Sequence, residues 1–240
     1  MLITSDIYLA TIVIFIAGVM RGFSGFGAGM ILVPSLSLIY NPMVAVISVV
    51  LLEIIPIIQM FPKSIKQCHW KTVLPLSLGA VVIIPFASLL LLHADEEMMR
   101  YTIAALVMMC VMVLASGWRY SGEASVSATT TTGIVSGLIG GATCMGGLPI
   151  VLYYLSTNLP VQVIRASIVV FLVVSSLVAL ISYSSHQLIS EEVLTRCLGM
   201  TPIYMLAIWF GGNLFGKVSE SFFRKLTMVI LASAGFALCL

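Results

Sequence analysis

Residues 18–34 read GVMRGFSGFGAGMILVP, and this glycine-rich stretch interrupts an apolar segment that runs from about residue 7 to residue 40. A second stretch, residues 137–149, reads GLIGGATCMGGLP and interrupts the apolar segment 127–157. Glycine lets the backbone leave a helix without steric cost and lets another group approach closely. Both stretches therefore predict a helix that stops and restarts inside a long apolar segment.

The other apolar segments have the length of single membrane-spanning helices. They cover roughly residues 42–62, 72–92, 98–118, 160–184, 197–216 and 224–240. Charged residues make up 8% of the chain and hydrophobic residues 60%, whereas an ordinary soluble domain is about 25% charged. Backbone groups in lipid must pair internally, and continuous apolar runs of about 20 residues suit helices rather than barrel strands. We predict an all-α integral membrane protein with a single transmembrane domain over residues 1–240.

The two glycine-rich stretches mark an internal repeat. At an offset of 119 positions the glycines coincide, Gly18 with Gly137, Gly22 with Gly141, and Gly27 with Gly146. The match continues at the same offset from residues 48–50 to residues 167–169. We therefore divide the chain into repeat 1, about residues 6–120, and repeat 2, about residues 125–240. Each repeat carries three single spans after its glycine-rich stretch. Because residues 1–5 contain no basic residue, we interpret the start as a membrane segment rather than a signal peptide.

Basic residues in the short loops predict the orientation in the membrane. Loops 63–71, 118–126 and 217–225 carry Lys and Arg, whereas loops 93–100 and 184–196 hold most of the Asp and Glu. Basic loops stay in the cytoplasm, so segment 127–157 must enter from the cytoplasm and return to it. By the same logic segment 7–40 enters and returns outside. Each repeat is then a glycine-broken hairpin plus three transmembrane helices, and the two repeats are inverted, as in many secondary transporters.

The interrupted helices are the first candidate site. A helix that restarts inside the membrane presents unpaired N–H groups and the positive end of its dipole, which together favour an anion. The candidate binding residues at the two breaks are Ser24, Gly25, Gly27 and Gly29 in the first and Thr143, Cys144, Gly146 and Gly147 in the second. The alternative is that the glycines are packing contacts between membrane helices. Two clusters at matching positions, each followed by a proline, favour functional breaks.

Arg21 is the second candidate, because it follows fourteen mostly apolar residues. An ionisable residue inside the membrane indicates function, and the planar guanidinium suits carboxylate, sulfonate or phosphate groups. Three roles stay open: contact with the substrate, pairing with Glu53, and snorkelling to the membrane surface. Glu53, the acid inside a span of the first half, is also a candidate proton carrier.

Three further residues follow the hairpins. Ser48 and Ser167 are symmetric in the two repeats and are candidate substrate ligands, although a helical serine often bonds only to the preceding turn. Arg165 lies five residues past Pro160 and is either a headgroup anchor or a substrate ligand.

These motifs resemble the TauE/SafE family of sulfite exporters and sulfonate permeases. The resemblance rests on RGFSGFGAGMILVP in the first half and GLIGGATCMGGLPIVL in the second, each followed by a proline and a helix that contains Ser48 or Ser167. It covers essentially the whole chain, but the second half departs from a glycine triplet at residues 144–148. The resemblance implies transport of small sulfur-containing anions such as sulfite, thiosulfate, sulfoacetate or other organosulfonates.

We therefore predict a secondary transporter, a multi-pass permease of the cytoplasmic membrane that works by alternating access and is not an enzyme. A passive anion channel is the alternative. A thiol redox protein fits less well, because the five cysteines form no CxxC pair and Cys144 aligns with Gly25. We predict no cofactor and no metal. The expected partners are the small anion and the lipid bilayer; the net charge of +2 does not suggest nucleic acid, and a homodimer stays open.

Overall fold

The computed structural model describes residues 2–116 and 125–214, and every regular element in these two ranges is a helix. The helices are α1 (Leu2–Ser24), α2 (Ala28–Ser37), α3 (Pro42–Leu52), α4 (Ile54–Gln59), α5 (Phe61–Ser64), α6 (Trp70–His93), α7 (Glu96–Ser116), α8 (Val126–Thr143), α9 (Gly147–Tyr154), α10 (Val161–Ser185) and α11 (Glu191–Leu214). The all-helical prediction is confirmed over these ranges. The predicted span 224–240, the loop 217–225 and most of the loop 118–126 lie outside the described residues.

Three of the described helices are long and apolar enough to cross a membrane, namely α6, α10 and α11. Each has 24 or 25 residues, which corresponds to about 36 Å of helix at 1.5 Å per residue. A bilayer core is about 30 Å thick. Shorter apolar helices cover Leu9–Ser24, Ala28–Ser37 and Pro42–Pro56. The chain is an integral membrane protein, as its composition predicts.

One predicted span is interrupted. Segment 42–62 was expected to be a single helix, but α3 ends at Leu52 and α4 begins at Ile54. Proline has no backbone N–H to pair with the carbonyl four residues earlier, and its ring crowds that carbonyl. Pro56 stands four residues after Leu52 and so explains the end of α3. Glu53, which is buried, lies at this interruption.

The helices form two compact units. Unit 1 is drawn from Met1–Leu52, Ala94–Trp118 and Ser190–Leu240, and unit 2 from Glu53–His93 and Arg119–Ile189. The described helices of unit 1 are α1, α2, α3, α7 and α11, and those of unit 2 are α4, α5, α6, α8, α9 and α10. Each unit therefore combines helices from both halves of the sequence.

In unit 1, glycines bring α1 close to α11. A Cβ on Gly18 would lie 2.6 Å from the Cβ of Ala207, and one on Gly22 would lie 2.1 Å from the carbonyl oxygen of Ile208. Small residues allow this approach between membrane helices. The later glycine of α1 contacts the later residue of α11, so the two helices run in the same direction.

In unit 2, glycines pack α8 against α6 in the same manner. A Cβ on Gly133 would lie 2.1 Å from the carbonyl oxygen of Leu76, and one on Gly141 would lie 2.8 Å from the Cβ of Ala87. These contacts also advance together, so α8 runs parallel to α6. In both units the long helix before a glycine break packs on a long helix from the other half of the sequence.

The chain reverses direction after α8. A Cβ on Gly146 would lie 2.3 Å from the carbonyl oxygen of Ser136, and the Tyr153 hydroxyl bonds to Thr129, 2.7 Å away. Helix α9 therefore runs back along α8. In unit 1, Gly22 lies near the end of α11, whereas the Arg196 guanidinium near its start lies 4.9 Å from the Tyr40 ring, which follows α2. The chain has thus reversed between Gly22 and Tyr40 as well.

Candidate anion site at the interrupted helices

The first break is built by two glycines in the left-handed region. Gly25 has φ 82° and Gly27 has φ 93°, values that other residues reach only with strain. The Gly25 N–H donates to the Arg21 carbonyl, 2.9 Å away, and this bond closes the last turn of α1. Helix α2 begins one residue after Gly27. Glycine at 25 and 27 is therefore required by the turn itself.

Arg21 brings a positive charge to this break. Its side chain is 1% exposed, and Nη1 donates to the Gly25 carbonyl oxygen, 2.7 Å away. A cation at this position donates to a carbonyl at the helix end. It also interacts favourably with the partial negative charge at the C-terminal end of the α1 dipole. The guanidinium offers five N–H donors in total. Arg21 therefore both shapes the break and places a cation in the interior of unit 1.

Backbone donors and open space occur together where α2 begins. The first N–H groups of any helix lack a partner within that helix, and Gly27, the N-cap of α2, makes no side-chain cap bond. A Cβ built on Gly27 would meet no atom of the described residues within 4 Å. Gly29, in the first turn, is buried. The first break thus combines an open volume, the positive end of a helix and the charge of Arg21 in one unit.

Ser24 uses its hydroxyl inside the first break. Its Oγ lies 2.7 Å from the Met20 carbonyl oxygen and 2.8 Å from that of Phe26, and it accepts from the Phe26 N–H at 3.3 Å. A serine hydroxyl has a single proton to donate. That proton is therefore engaged by the backbone of the break, and Ser24 fixes the turn.

The second break matches the first in position but not in conformation. Cys144, which aligns with Gly25, adopts φ 56°, and its N–H donates to the Gly140 carbonyl at 2.8 Å. Gly146, which aligns with Gly27, has an ordinary φ of −66° and stands at the N-cap of α9. Its surroundings are also closed rather than open, because Ser136 and Gly140 of α8 lie against it.

Hydroxyl groups of unit 2 satisfy the carbonyls around the second break. Ser136 donates to the Gly146 carbonyl, and Tyr183 of α10 donates to the Gly141 carbonyl at 2.7 Å. Thr143 donates to the Ile139 carbonyl at 2.7 Å, so its proton is also engaged. Gly147 is buried at the start of α9. The second break is therefore more tightly packed than the first.

The remaining candidates are distributed between the units. Ser48 is buried in unit 1, where its backbone carbonyl lies 3.6 Å from the Cys197 thiol. Ser167 is buried in unit 2; it accepts from the His69 N–H at 2.9 Å and donates to the Val163 carbonyl at 2.7 Å. Arg165 is part-exposed on α10. Unit 1 therefore holds Arg21, Ser24, Gly25, Gly27, Gly29 and Ser48, and unit 2 holds Glu53, Thr143, Cys144, Gly146, Gly147, Arg165 and Ser167.

A cavity of about 550 Å³ lies elsewhere, on the exposed start of α7. Its lining includes Asp95 and Glu97, together with Met98, Tyr101, Thr102 and Ala105. Two carboxylates repel an anion, so this cavity is a poor substrate site. The chemistry of the first break, rather than the size of a cavity, identifies the better candidate.

Two tyrosines that fasten α9 carried no signal in the sequence. The Tyr153 hydroxyl lies 2.7 Å from Thr129 of α8, and the Tyr154 hydroxyl lies 2.9 Å from Thr72 of α6. Each threonine hydroxyl also bonds to a backbone carbonyl, of Ser125 and His69 respectively. A carbonyl cannot donate, so the single threonine proton goes to it and each tyrosine is the donor. We call these two bonds the tyrosine fastening of α9.

Comparison with known proteins gives one match. A family model described as "Sulfite exporter TauE/SafE" matches residues 10–238. No curated protein and no solved structure matched the chain.

Proposed function

Because the chain belongs to the sulfite exporter TauE/SafE family, we propose that it is a secondary transporter that moves a small sulfur-containing anion across the cytoplasmic membrane. The family consists of transporters rather than enzymes. The proposed substrates are sulfite, thiosulfate, sulfoacetate or another organosulfonate, and the proposed mechanism is alternating access with the two halves of the chain as inverted repeats.

The observation that carries the proposal is Arg21, a cation buried in unit 1 at the first break. An anion that leaves water needs charge and hydrogen-bond donors in compensation. The guanidinium supplies the charge, and the first N–H groups of α2 supply donors without the desolvation cost of a second cation. Gly27 leaves open space next to these donors. We propose that the anion binds in that space.

The shape of the donors favours an oxyanion. A guanidinium presents parallel N–H groups that match two oxygens bonded to one atom. Sulfite, thiosulfate and sulfonates all present such pairs, as carboxylates do. A sulfonate carries a third oxygen, which can accept from a backbone N–H of α2. We therefore propose that sulfur oxyanions bind more tightly than carboxylates of the same size.

Binding to the purified full-length chain tests the function. We expect sulfite, thiosulfate, or an organosulfonate such as sulfoacetate or taurine, to raise the melting temperature in a concentration-dependent manner, whereas simple carboxylates should have a smaller effect. Sulfate serves as the sulfur oxyanion comparison. If none of these sulfur anions shifts the melting temperature or enters proteoliposomes, the proposed function is wrong.

The same assay decides whether Arg21 binds the substrate or serves only the structure of the break. In the double variant Arg21→Gln/Glu53→Gln both charges are removed, while a polar side chain stays at each position. If Arg21 binds substrate, this variant should accumulate and melt normally but bind the anion at least tenfold more weakly, about 1.4 kcal/mol. Normal binding by the double variant would mean that Arg21 serves only the structure of the break.

A further inference from the structure

The hydroxyl oxygens of two serines in unit 2, the buried Ser77 and the half-buried Ser175, depart from the usual behaviour of helical hydroxyls. A serine or threonine inside a helix usually donates to the carbonyl of the preceding turn, as Thr143 and Ser167 do. The hydroxyl oxygens of Ser77 on α6 and Ser175 on α10 are buried, and in the part of the chain that the structure describes neither has a hydrogen-bond partner. Buried hydroxyls rarely stay unpaired without a reason.

The two hydroxyls face the same seam between α6 and α10. These helices run parallel, because the His69 N–H donates to Ser167 near their starts and Ser88 bonds to Ser182 further along. Ser77 precedes Ser88 by eleven residues and Ser175 precedes Ser182 by seven, which are about three and two helical turns. Ser77 therefore shares the face of Ser88, and Ser175 shares the face of Ser182.

Their heights in the seam lie within about one helical turn of each other. Ser77 lies eight residues beyond His69 and Ser175 eight residues beyond Ser167, so both stand about 12 Å past the first hydrogen-bonded pair. Counted back from the Ser88–Ser182 pair, however, Ser77 stands about one turn further away than Ser175. Two hydroxyls with no partner among the described residues thus lie within about one turn of each other in one seam, between two pairs that are hydrogen-bonded across it.

Charge on the two helices determines which ligand suits this position. Neither α6 nor α10 contains Asp or Glu, and their charged residues are Lys71 and Arg165. A bound cation would need carboxylates or many oxygen ligands, whereas an oxyanion needs donors, and each hydroxyl has one proton to give. The seam therefore fits an oxyanion better than a cation.

We propose that Ser77 and Ser175 form a second binding position for the transported oxyanion, in the α6–α10 seam of unit 2. This position is built from different residues than the first break, and it rests on the proposed function for the identity of the ligand. It assigns a ligand-binding role to two serines that lie outside both glycine motifs. A transporter with two binding positions can hold its substrate at more than one stage of passage.

The test compares stability and binding in the same variants. Ser77→Ala and Ser175→Ala each remove a hydroxyl that has no partner among the described residues, so the melting temperature without anion should stay equal or rise. Titration of purified full-length protein with thiosulfate and sulfite should show one of the two binding positions weakened about tenfold, as expected for a lost hydrogen bond to a charged group, and the other unchanged. This combination of unchanged or higher stability with weaker binding is the signature of a ligand-binding hydroxyl.

Ser88→Ala is the matched control, because it makes the same chemical change in the same seam at a hydroxyl that is bonded to Ser182. We expect Ser88→Ala to lower the melting temperature and to leave anion affinity unchanged. Anion affinity equal to wild type in both Ser77→Ala and Ser175→Ala would overturn the proposal. It would indicate that the two hydroxyls bond to water rather than to an anion. A lower melting temperature in these variants would overturn it as well, by indicating a structural partner. If the wild-type chain binds none of the probes, the proposed function fails and the seam has no anion to bind.

Discussion

Gly27 combines a left-handed backbone with empty space where a side chain would begin. The two properties have separate consequences for a variant. Strain at a positive φ lowers stability by about 1–2 kcal/mol in a residue with a Cβ. Occupation of the empty space matters only if a ligand uses it. A single substitution can therefore distinguish a glycine that serves the fold from one that serves the substrate.

We predict that Gly27→Ala lowers the melting temperature modestly and weakens anion binding more than tenfold, about 1.4 kcal/mol or more. The control is Gly199→Ala in α11, where a Cβ also meets no atom within 4 Å and the backbone φ is not in the left-handed region. That variant should bind normally. Isothermal titration measures both affinities. Normal affinity in Gly27→Ala would leave Gly27 as a residue of the turn alone.

Other glycines cannot serve as probes in this way. A Cβ on Gly146 would meet the Ser136 carbonyl oxygen at 2.3 Å, and one on Gly79 would meet that of Thr130 at 2.5 Å. Substitution at either position disturbs helix packing before it affects any ligand. The sequence could not separate these glycines from Gly27, because their roles depend on a neighbouring helix.

At the scale of elements, the tyrosine fastening holds the end of α9 to two helices. The short helix α9 has eight residues and is stabilised by contacts rather than by its own length. Tyr154 is fully buried, and its hydroxyl bond to Thr72 joins α9 to α6. Loss of this bond should therefore loosen the hairpin formed by α8 and α9.

We predict that Tyr154→Phe lowers the stability of the protein by about 1 kcal/mol, because the Thr72 hydroxyl loses its donor. Tyr101→Phe on α7 is the control, since the Tyr101 hydroxyl is exposed and makes only a long bond of 3.4 Å to Glu97. Free energies of unfolding of Tyr154→Phe, of Thr72→Val and of the Tyr154→Phe/Thr72→Val double variant give the coupling energy of the hydroxyl pair. Additive effects of the two changes would show that the hydroxyl pair contributes nothing.

Element positions were largely predictable, and the pairing of elements was not. Glycine and proline chemistry acts locally, so both breaks could be read from the chain; Pro56 could likewise have indicated the end of α3. In contrast, the glycines of α1 and α8 fit many smooth helix surfaces, and nothing local selects α11 and α6 as their partners. The unpaired hydroxyls of Ser77 and Ser175 depend on such pairing and were equally inaccessible.

For the whole molecule, the family match over residues 10–238 confirms the resemblance found in the two glycine motifs. Orientation in the membrane stays a prediction from the charges of the loops. In unit 1, Asn41 donates to Glu96 at 2.9 Å, and Arg196 lies over Tyr40. The starts of α7 and α11 therefore lie at one end of the unit, as expected if loops 93–100 and 184–196 are on the same side.

We predict that cysteines introduced as Asp95→Cys and Ser190→Cys react with an impermeant maleimide added outside, because the charges of the loops predict that both face outward. Lys66→Cys and Glu220→Cys should react only after permeabilisation; residue 220 lies outside the described residues. The native cysteines are first replaced, although burial raises the pKa of the Cys68 thiol and slows its reaction. Labelling at 220 from outside would contradict the hairpin topology and the inverted repeats with it.

The exchange of helices between the halves has a consequence for how the protein is made. Helix α1 leaves the ribosome before the other described helices, yet Ala207 and Ile208, against which Gly18 and Gly22 pack, follow almost 190 residues later. At about 5–20 residues per second this interval lasts roughly 10–40 s. Unit 2 takes all its residues from 53–93 and 119–189. It can therefore be completed before α11 has been synthesised and can pack against α1. The earliest of the described helices therefore belongs to the unit that is finished last.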